Sequence, residues 1–156
     1  MLLEFSVGNF LSFKAKTTLS LAATSIKEHI DTNIFSTERR DLLKGAVIYG
    51  ANASGKSNFV RAMSTMRRLV LQSLDQSSTD ELDVTPFLLS TGTEKSPSLF
   101  EAIFLIDNIR YRYGFEVDDK QVHAEWLFEA PKNAEKPMFL REGDGIEVTR
   151  NFPEGR

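Results

Sequence analysis

Apolar residues along this chain follow two rhythms. Near the N-terminus Leu3, Phe5 and Val7 alternate with Glu4 and Ser6, which predicts a half-buried strand. Gly8-Asn9 interrupts it, and Phe13 to Ala22 predicts a second strand with Thr17, Leu19 and Leu21 on one side. Thr24 to Arg40 is polar and weakly patterned, a long connection with room for one helical turn. Ala46-Val47-Ile48-Tyr49 is a short apolar run of the kind that makes a buried strand. The period then lengthens: Phe59, Met63, Met66, Val70 and Leu74 recur at the spacing of one helix face, predicting a helix over about 57–74. Asp75 to Glu81 reads as a polar loop. Period two returns over about 98–150 and predicts an antiparallel β meander. Phe100 to Ile106 is nearly continuously apolar, and Asp107-Asn108 is a two-residue turn candidate. Ile109, Tyr111, Tyr113, Phe115 and Val117 alternate with polar residues and glycine, and Val122, Ala124, Trp126 and Phe128 do so again. Met138 to Arg141 and Ile146 to Thr149 are short strands joined through Gly143-Asp144-Gly145.

Between the apolar run and the helix stands Gly50-Ala51-Asn52-Ala53-Ser54-Gly55-Lys56-Ser57, which fits G-x-x-x-x-G-K-[ST] at every fixed position. Each fixed residue has a physical job in a phosphate-binding loop. The glycines let the backbone curl so that successive N–H groups face phosphate oxygens. The lysine reaches the β- and γ-phosphates, and the Ser57 hydroxyl is placed to hold Mg²⁺. The following helix turns its positive end toward the same anion. Strand, glycine loop and helix is the setting this chemistry requires.

Composition narrows the class without naming it. With 156 residues the chain fits one domain, and 19 basic against 22 acidic residues give a net charge of −3. That balance supplies no overall attraction to nucleic acid or anionic lipid. The absence of cysteine excludes disulfides, a thiolate nucleophile and cysteine-ligated zinc. The N-terminus does not read as a signal peptide, and no apolar run approaches a membrane span, so a cytoplasmic protein with no membrane partner is expected. The Tyr/Phe stripe reads as core packing; beside Arg110 and Arg112 it could also stack bases, but alternating aromatics in a sheet are commonly packing.

Two segments together resemble one family. Asn9-Phe10-Leu11-Ser12-Phe13 is similar to the N-F-x-S-F opening that precedes the loop in ABC-type head ATPases of the SMC, RecF and OLD-nuclease kind. With Ile48 to Asn58 and the strands around Tyr111–Phe115 and Glu125–Leu127, the set resembles the N-terminal region of bacterial AAA-type, ABC-like ATPases of the RloA and AbiL phage-defence group. The resemblance implies an α/β fold of α+β character. It is the first lobe of a P-loop nucleotide hydrolase, in which strand, loop and helix are wrapped by an antiparallel meander. It implies ATP and Mg²⁺ as ligands, with Gly50, Gly55, Lys56 and Ser57 as phosphate and metal contacts. Ala51, Asn52, Ala53 and Ser54 would supply backbone N–H groups, with Asn58 completing the site. Ser12, Phe13 and Lys14 fall in the segment that passes near adenine and ribose in such heads. It also implies partners: a C-terminal ATPase lobe or second head subunit, a TOPRIM-type or RloB-like nuclease, and nucleic acid through the parent complex.

Two stretches imitate motifs of a second lobe. Leu89-Ser90-Thr91-Gly92 echoes an L-S-x-G signature, and Ile103 to Asp107 echoes the apolar run and aspartate of Walker B. The first is followed by polar residues and Pro97 where a helix should open. Asp107 is followed by Asn108 where the catalytic glutamate should stand, and the pair fits a hairpin turn. His123 lies on the polar side of a strand and reads as a surface residue. Residues 1–156 are therefore expected to form one ATP-binding lobe, an incomplete domain that binds without hydrolysing; Lys56 would support phosphoryl transfer once the rest is supplied. Neither N-K-x-D nor D-x-x-G is present for a GTPase, and the meander does not suit a small-molecule kinase. The alternatives are a miniature ATPase using Asp107 and a non-catalytic nucleotide-binding module.

Overall fold

The alternation of Leu3, Phe5 and Val7 becomes strand β1 (Leu2–Gly8), with all three side chains buried. A computed structural model describes residues 1–26, 28–37, 40–72, 82–132 and 134–152. The expected loop from Asp75 to Glu81, the helix end at Leu74 and the terminal Pro153 to Arg156 lie outside the described residues. After β1 follow β2 (Thr17–Ser20), the single helical turn α1 (Ile30–Asn33) and the short ribbon β3 (Ile34–Ser36) and β4 (Asp41–Leu43). The long helix α2 (Lys56–Gln72) leads to the meander β5 (Ser98–Ile106), β6 (Ile109–Val117), β7 (Val122–Ala130), β8 (Lys136–Glu142) and β9 (Gly145–Val148). Seven strands form one antiparallel sheet in the order β2-β1-β5-β6-β7-β8-β9.

The meander forms because its turns match its strands. Asp107 and Asn108 have φ of 47° and 64°, so both central residues of the β5–β6 hairpin are left-handed, the backbone that joins twisted antiparallel strands without splaying them. On one sheet face Phe100, Phe115 and Val117 are buried with Phe5 and Val7, and α2 packs over them. Phe59 meets the edge of Phe5 at 5.4 Å between ring centroids, and Phe100 meets Phe10 at 5.1 Å. Burying such side chains contributes roughly 2–3 kcal/mol each.

Three expectations need correction. The buried face of α2 is Phe59, Ala62, Met66 and Leu69, whereas Met63 and Val70 stay 36% and 38% exposed. The helix carries apolar residues on two adjoining stripes, and the sheet takes the stripe that includes fully buried Ala62. The second strand is shorter than Phe13 to Ala22. Phe13 exchanges backbone hydrogen bonds with Phe10 at 2.8 and 3.0 Å, and Ala22 bridges Leu42.

The third correction concerns Ala46 to Tyr49, which form no strand: Val47, Ile48 and Tyr49 are 74%, 43% and 88% exposed. A buried strand needs neighbours on both sides, and among the described residues no strand lies alongside this segment.

The aromatic residues of β6 and β7 also take opposite faces. Trp126 stands across from Gly114 and Phe128 across from Arg112, so the β7 stripe covers the outer face. A Cβ on Gly114 would come within 2.7 Å of the Trp126 ring and 2.8 Å of the Phe100 carbonyl, so glycine is what lets the indole lie down on the sheet.

Candidate functional site: the Gly50–Ser57 loop

Gly55, with φ of +92°, is the backbone hinge at which the loop becomes a helix; its carbonyl accepts from the Phe59 N–H at 3.0 Å, the first bond of α2. Ala53 is also left-handed, with φ of 63°. Gly50, Ala51, Asn52, Ala53, Ser54 and Ser57 are exposed, and Gly55, Lys56 and Asn58 are half-buried. Lys56 is the first residue of α2, where N–H groups have no intrahelical acceptor. Its Nζ reaches back across the loop and donates to the Gly50 and Ala51 carbonyls at 2.7 and 2.6 Å. The ammonium is thus held over the mouth of the loop by two weakly basic acceptors that an anion can outcompete.

The Asn9-Phe10-Leu11-Ser12-Phe13 segment supports this loop from below. Asn58 Nδ2 donates to Ser12 Oγ at 3.0 Å, and a Cβ on Gly55 would fall 2.8 Å from the same hydroxyl. Phe13 packs edge-on against Phe59 at 6.0 Å. Asn9, left-handed with φ of 47° and only 8% exposed, is the anchor that pattern reading passed over. Its Nδ2 donates to the Thr93, Ser96 and Pro97 carbonyls at 2.9, 2.7 and 3.2 Å, and its Oδ1 accepts from the Phe87 N–H at 3.1 Å. One buried amide therefore fixes the 87–97 crossing over the sheet, which explains an asparagine at the head of the motif. The clue was Asn9 beside a glycine, a residue pair suited to left-handed backbone.

The two imitations fall elsewhere. Leu89 to Gly92 lies among turns, opens no helix, and leaves Leu89 88% exposed. Asp107 is the exposed first residue of the β5–β6 turn. That turn lies past the Leu2 end of β1, while Ser12 and the loop lie past its Gly8 end, a separation of about 20 Å along the strand. His123 is half-buried, with Nε2 at 2.7 Å from Asp118 Oδ2. Burial pushes the Asp118 carboxyl up, but the His123 contact and the Lys120 and Gln121 N–H groups outweigh it and hold it below the usual range. Arg112 is engaged within the sheet: it binds Glu101 at 3.1 Å and Glu135 at 2.8 Å and stacks 4.3 Å over Phe128.

Residues 46–156 match the family model described as "AAA domain, putative AbiEii toxin, Type IV TA system". The match covers well over half of the chain and begins at the apolar run that leads into the loop. The chain belongs to this AAA family. Its members are P-loop ATPases, and a nucleotide-binding, ATPase-type function follows for this AAA chain. No curated protein matches it. Among the described residues no helix is long and apolar enough to cross a membrane, and no group of three or more His, Cys, Asp or Glu side chains gathers to hold a metal ion.

Proposed function

We propose that the chain binds Mg-ATP through Gly50 to Ser57 and serves as the nucleotide-gripping lobe of an ATPase whose water-orienting groups come from a second lobe or a facing subunit. The observation that carries this reading is the Lys56 ammonium 2.6–2.7 Å from the Gly50 and Ala51 carbonyls at the start of α2, above a hinge with φ of +92°. ATP phosphates entering there exchange two neutral acceptors for charged ones, and Ser57 adds the Mg²⁺ ligand. Phosphoryl transfer further needs a positioned water and compensation of developing charge. The exposed Val47 and Tyr49, with Val60 and Leu71 on the outer side of α2 at 60% and 54%, support a covering lobe on this side. The Asn9 to Phe13 opening supports kinship with the RloA and AbiL group. A role in phage defence or DNA repair follows from that kinship, in the cytoplasm and beside a TOPRIM-type or RloB-like nuclease that brings the nucleic acid.

The test is calorimetry of Mg-ATP binding with Lys56→Ala as the variant. Affinity falls at least about a hundredfold in the variant. GTP displaces an ATP analogue less well than ATP does, and the purified chain releases negligible phosphate. Unchanged affinity in Lys56→Ala sinks the loop assignment. Turnover eliminated by both Lys56→Ala and Asp107→Asn restores the miniature ATPase.

A further inference from the structure

Ser12 stands on a turn that holds backbone strain. Asn9 and Leu11 are both left-handed, with φ of 47° and 49°, and neither is glycine. Such backbone persists only where its surroundings over-determine it. Here they do. The Phe10 and Phe13 backbones exchange hydrogen bonds at 3.0 and 2.8 Å, and the Leu11 N–H donates to the Thr85 carbonyl at 3.0 Å. The buried Asn9 amide is bonded to Phe87, Thr93, Ser96 and Pro97. The turn is thus a fixed platform, and Asn58, in the first turn of α2, donates to the Ser12 hydroxyl that it carries at 3.0 Å. One residue further along each segment, Phe13 meets the edge of Phe59 at 6.0 Å, so residues 12 and 13 grip residues 58 and 59 in step. The same hydroxyl lies against the hinge. A Cβ on Gly55, whose φ is +92°, would fall 2.8 Å from the Ser12 Oγ, so the contact requires glycine there.

On the reading of Gly50 to Ser57 as a phosphate loop, we propose that Ser12 and Asn58 are positioning residues that latch the Gly55 hinge and preset the loop for the polyphosphate chain of its ligand. A phosphate loop binds through several N–H groups, and affinity is lost if they must be ordered when the anion arrives. The backbone from Ala46 to Ser54 is exposed, so the core does not shape it. Its junction with α2 at Gly55 is where the fold can hold it. The latch acts there from two sides, with Asn58 fixed by the helix and Ser12 by the strained turn. The pair works through Gly55 and not on the base, a different role from the adenine and ribose contact that the family resemblance implies for Ser12.

The probes are Mg-ATP and Mg-tripolyphosphate, which keeps the phosphate chain and has no base, each titrated into the full chain by calorimetry. Ser12→Ala and Asn58→Ala each weaken both probes by the same factor, about fivefold, as the loss of one net hydrogen bond requires. The double variant binds as the single variants do, because all three remove the same bond. Ser12→Thr keeps the hydroxyl and stays within about twofold of the unsubstituted protein. In the ligand-free protein, amide exchange at Gly55 and Lys56 quickens in both alanine variants while the urea midpoint stays in place, since the bond lies at the surface. Weakening of Mg-ATP alone makes Ser12 a base contact and overturns the latch. So do unchanged affinities, additive losses in the double variant, unchanged exchange at Gly55, or a general fall in stability in place of the local one. Failure of the loop assignment looks different: the unsubstituted protein binds neither probe, or Lys56→Ala binds both as tightly, and the latch then falls with the loop.

Discussion

The meander and the segment that leads into the Gly50–Ser57 loop are built on opposite terms. From β5 to β9 each strand pairs with the next, and Phe100 of β5 and Phe115 of β6 lie in one buried cluster with Phe59, Ala62 and Met66 of α2. From Ala46 to Ser54 the chain is exposed throughout, including three large apolar residues, and the Lys56 ammonium ties its Gly50 and Ala51 carbonyls to the start of α2. Stability is therefore concentrated in the sheet, while the proposed nucleotide chemistry sits on a segment that the sheet merely carries. Changes in one region should leave the other largely untouched.

The largest break in that division comes from Phe100→Ala. Phe100 is fully buried between Phe10 and Phe115, and its loss should cost about 3–5 kcal/mol in urea denaturation. A cost below about 1 kcal/mol would mean that the core lies elsewhere. Asn9→Ala should follow at about 3 kcal/mol, because it strips the partners of the 87–97 crossing and places alanine in left-handed backbone. Hydrogen exchange at the Phe87 amide should accelerate in parallel.

Glu101→Gln comes next, at about 2 kcal/mol at neutral pH. Burial pushes the Glu101 carboxyl up, but hydrogen bonds from Lys16 and Arg112 and their charges more than reverse this and hold it below its usual range. The depressed value fixes the sign. The stabilisation is fully present above the unfolded glutamate value of about 4.3 and is lost as pH falls through the folded value. Denaturation midpoints of the native protein should thus drop on acidification below about pH 5, and those of Glu101→Gln should drop less. Equal slopes would remove Glu101 from the account. The smallest effect belongs to Tyr49→Ser, within about 0.5 kcal/mol, since an 88% exposed ring has little to lose. A cost above about 1 kcal/mol would show the segment packed on the sheet, and the comparison would fail.

The same contrast explains how far the sequence could be read. The β5–β6 hairpin was legible because its information is local: period-two apolar residues flank a pair, Asp107-Asn108, that tolerates left-handed backbone. The helix was legible for the same reason, but its orientation was not. Two stripes, one through Met63 and Val70 and one through Ala62 and Leu69, fit a helical period equally, and only the sheet decides between them. Ala46 to Tyr49 misled because an apolar run reports that a segment can be covered and says nothing of what covers it. The fixed residues of the loop were legible as a spacing. The Asn9 bonds to Phe87, Thr93, Ser96 and Pro97 were not, because a side chain's long-range partners leave no periodic trace.

The pairing of β1 has a consequence for the order in which the protein is made. Phe5 lies opposite Leu19 on one side and opposite Ala102 on the other. On the ribosome the β1–β2 hairpin can close early, but its second edge has no partner until β5 has been synthesised. The loop and α2 emerge in between, so the helix waits with Phe59 and Met66 uncovered while most of its platform does not yet exist. At about 5–20 residues per second that interval lasts several seconds. A nascent chain of this topology presents an open strand edge and an apolar helix to the cell during synthesis, and these are the surfaces a chaperone would meet first.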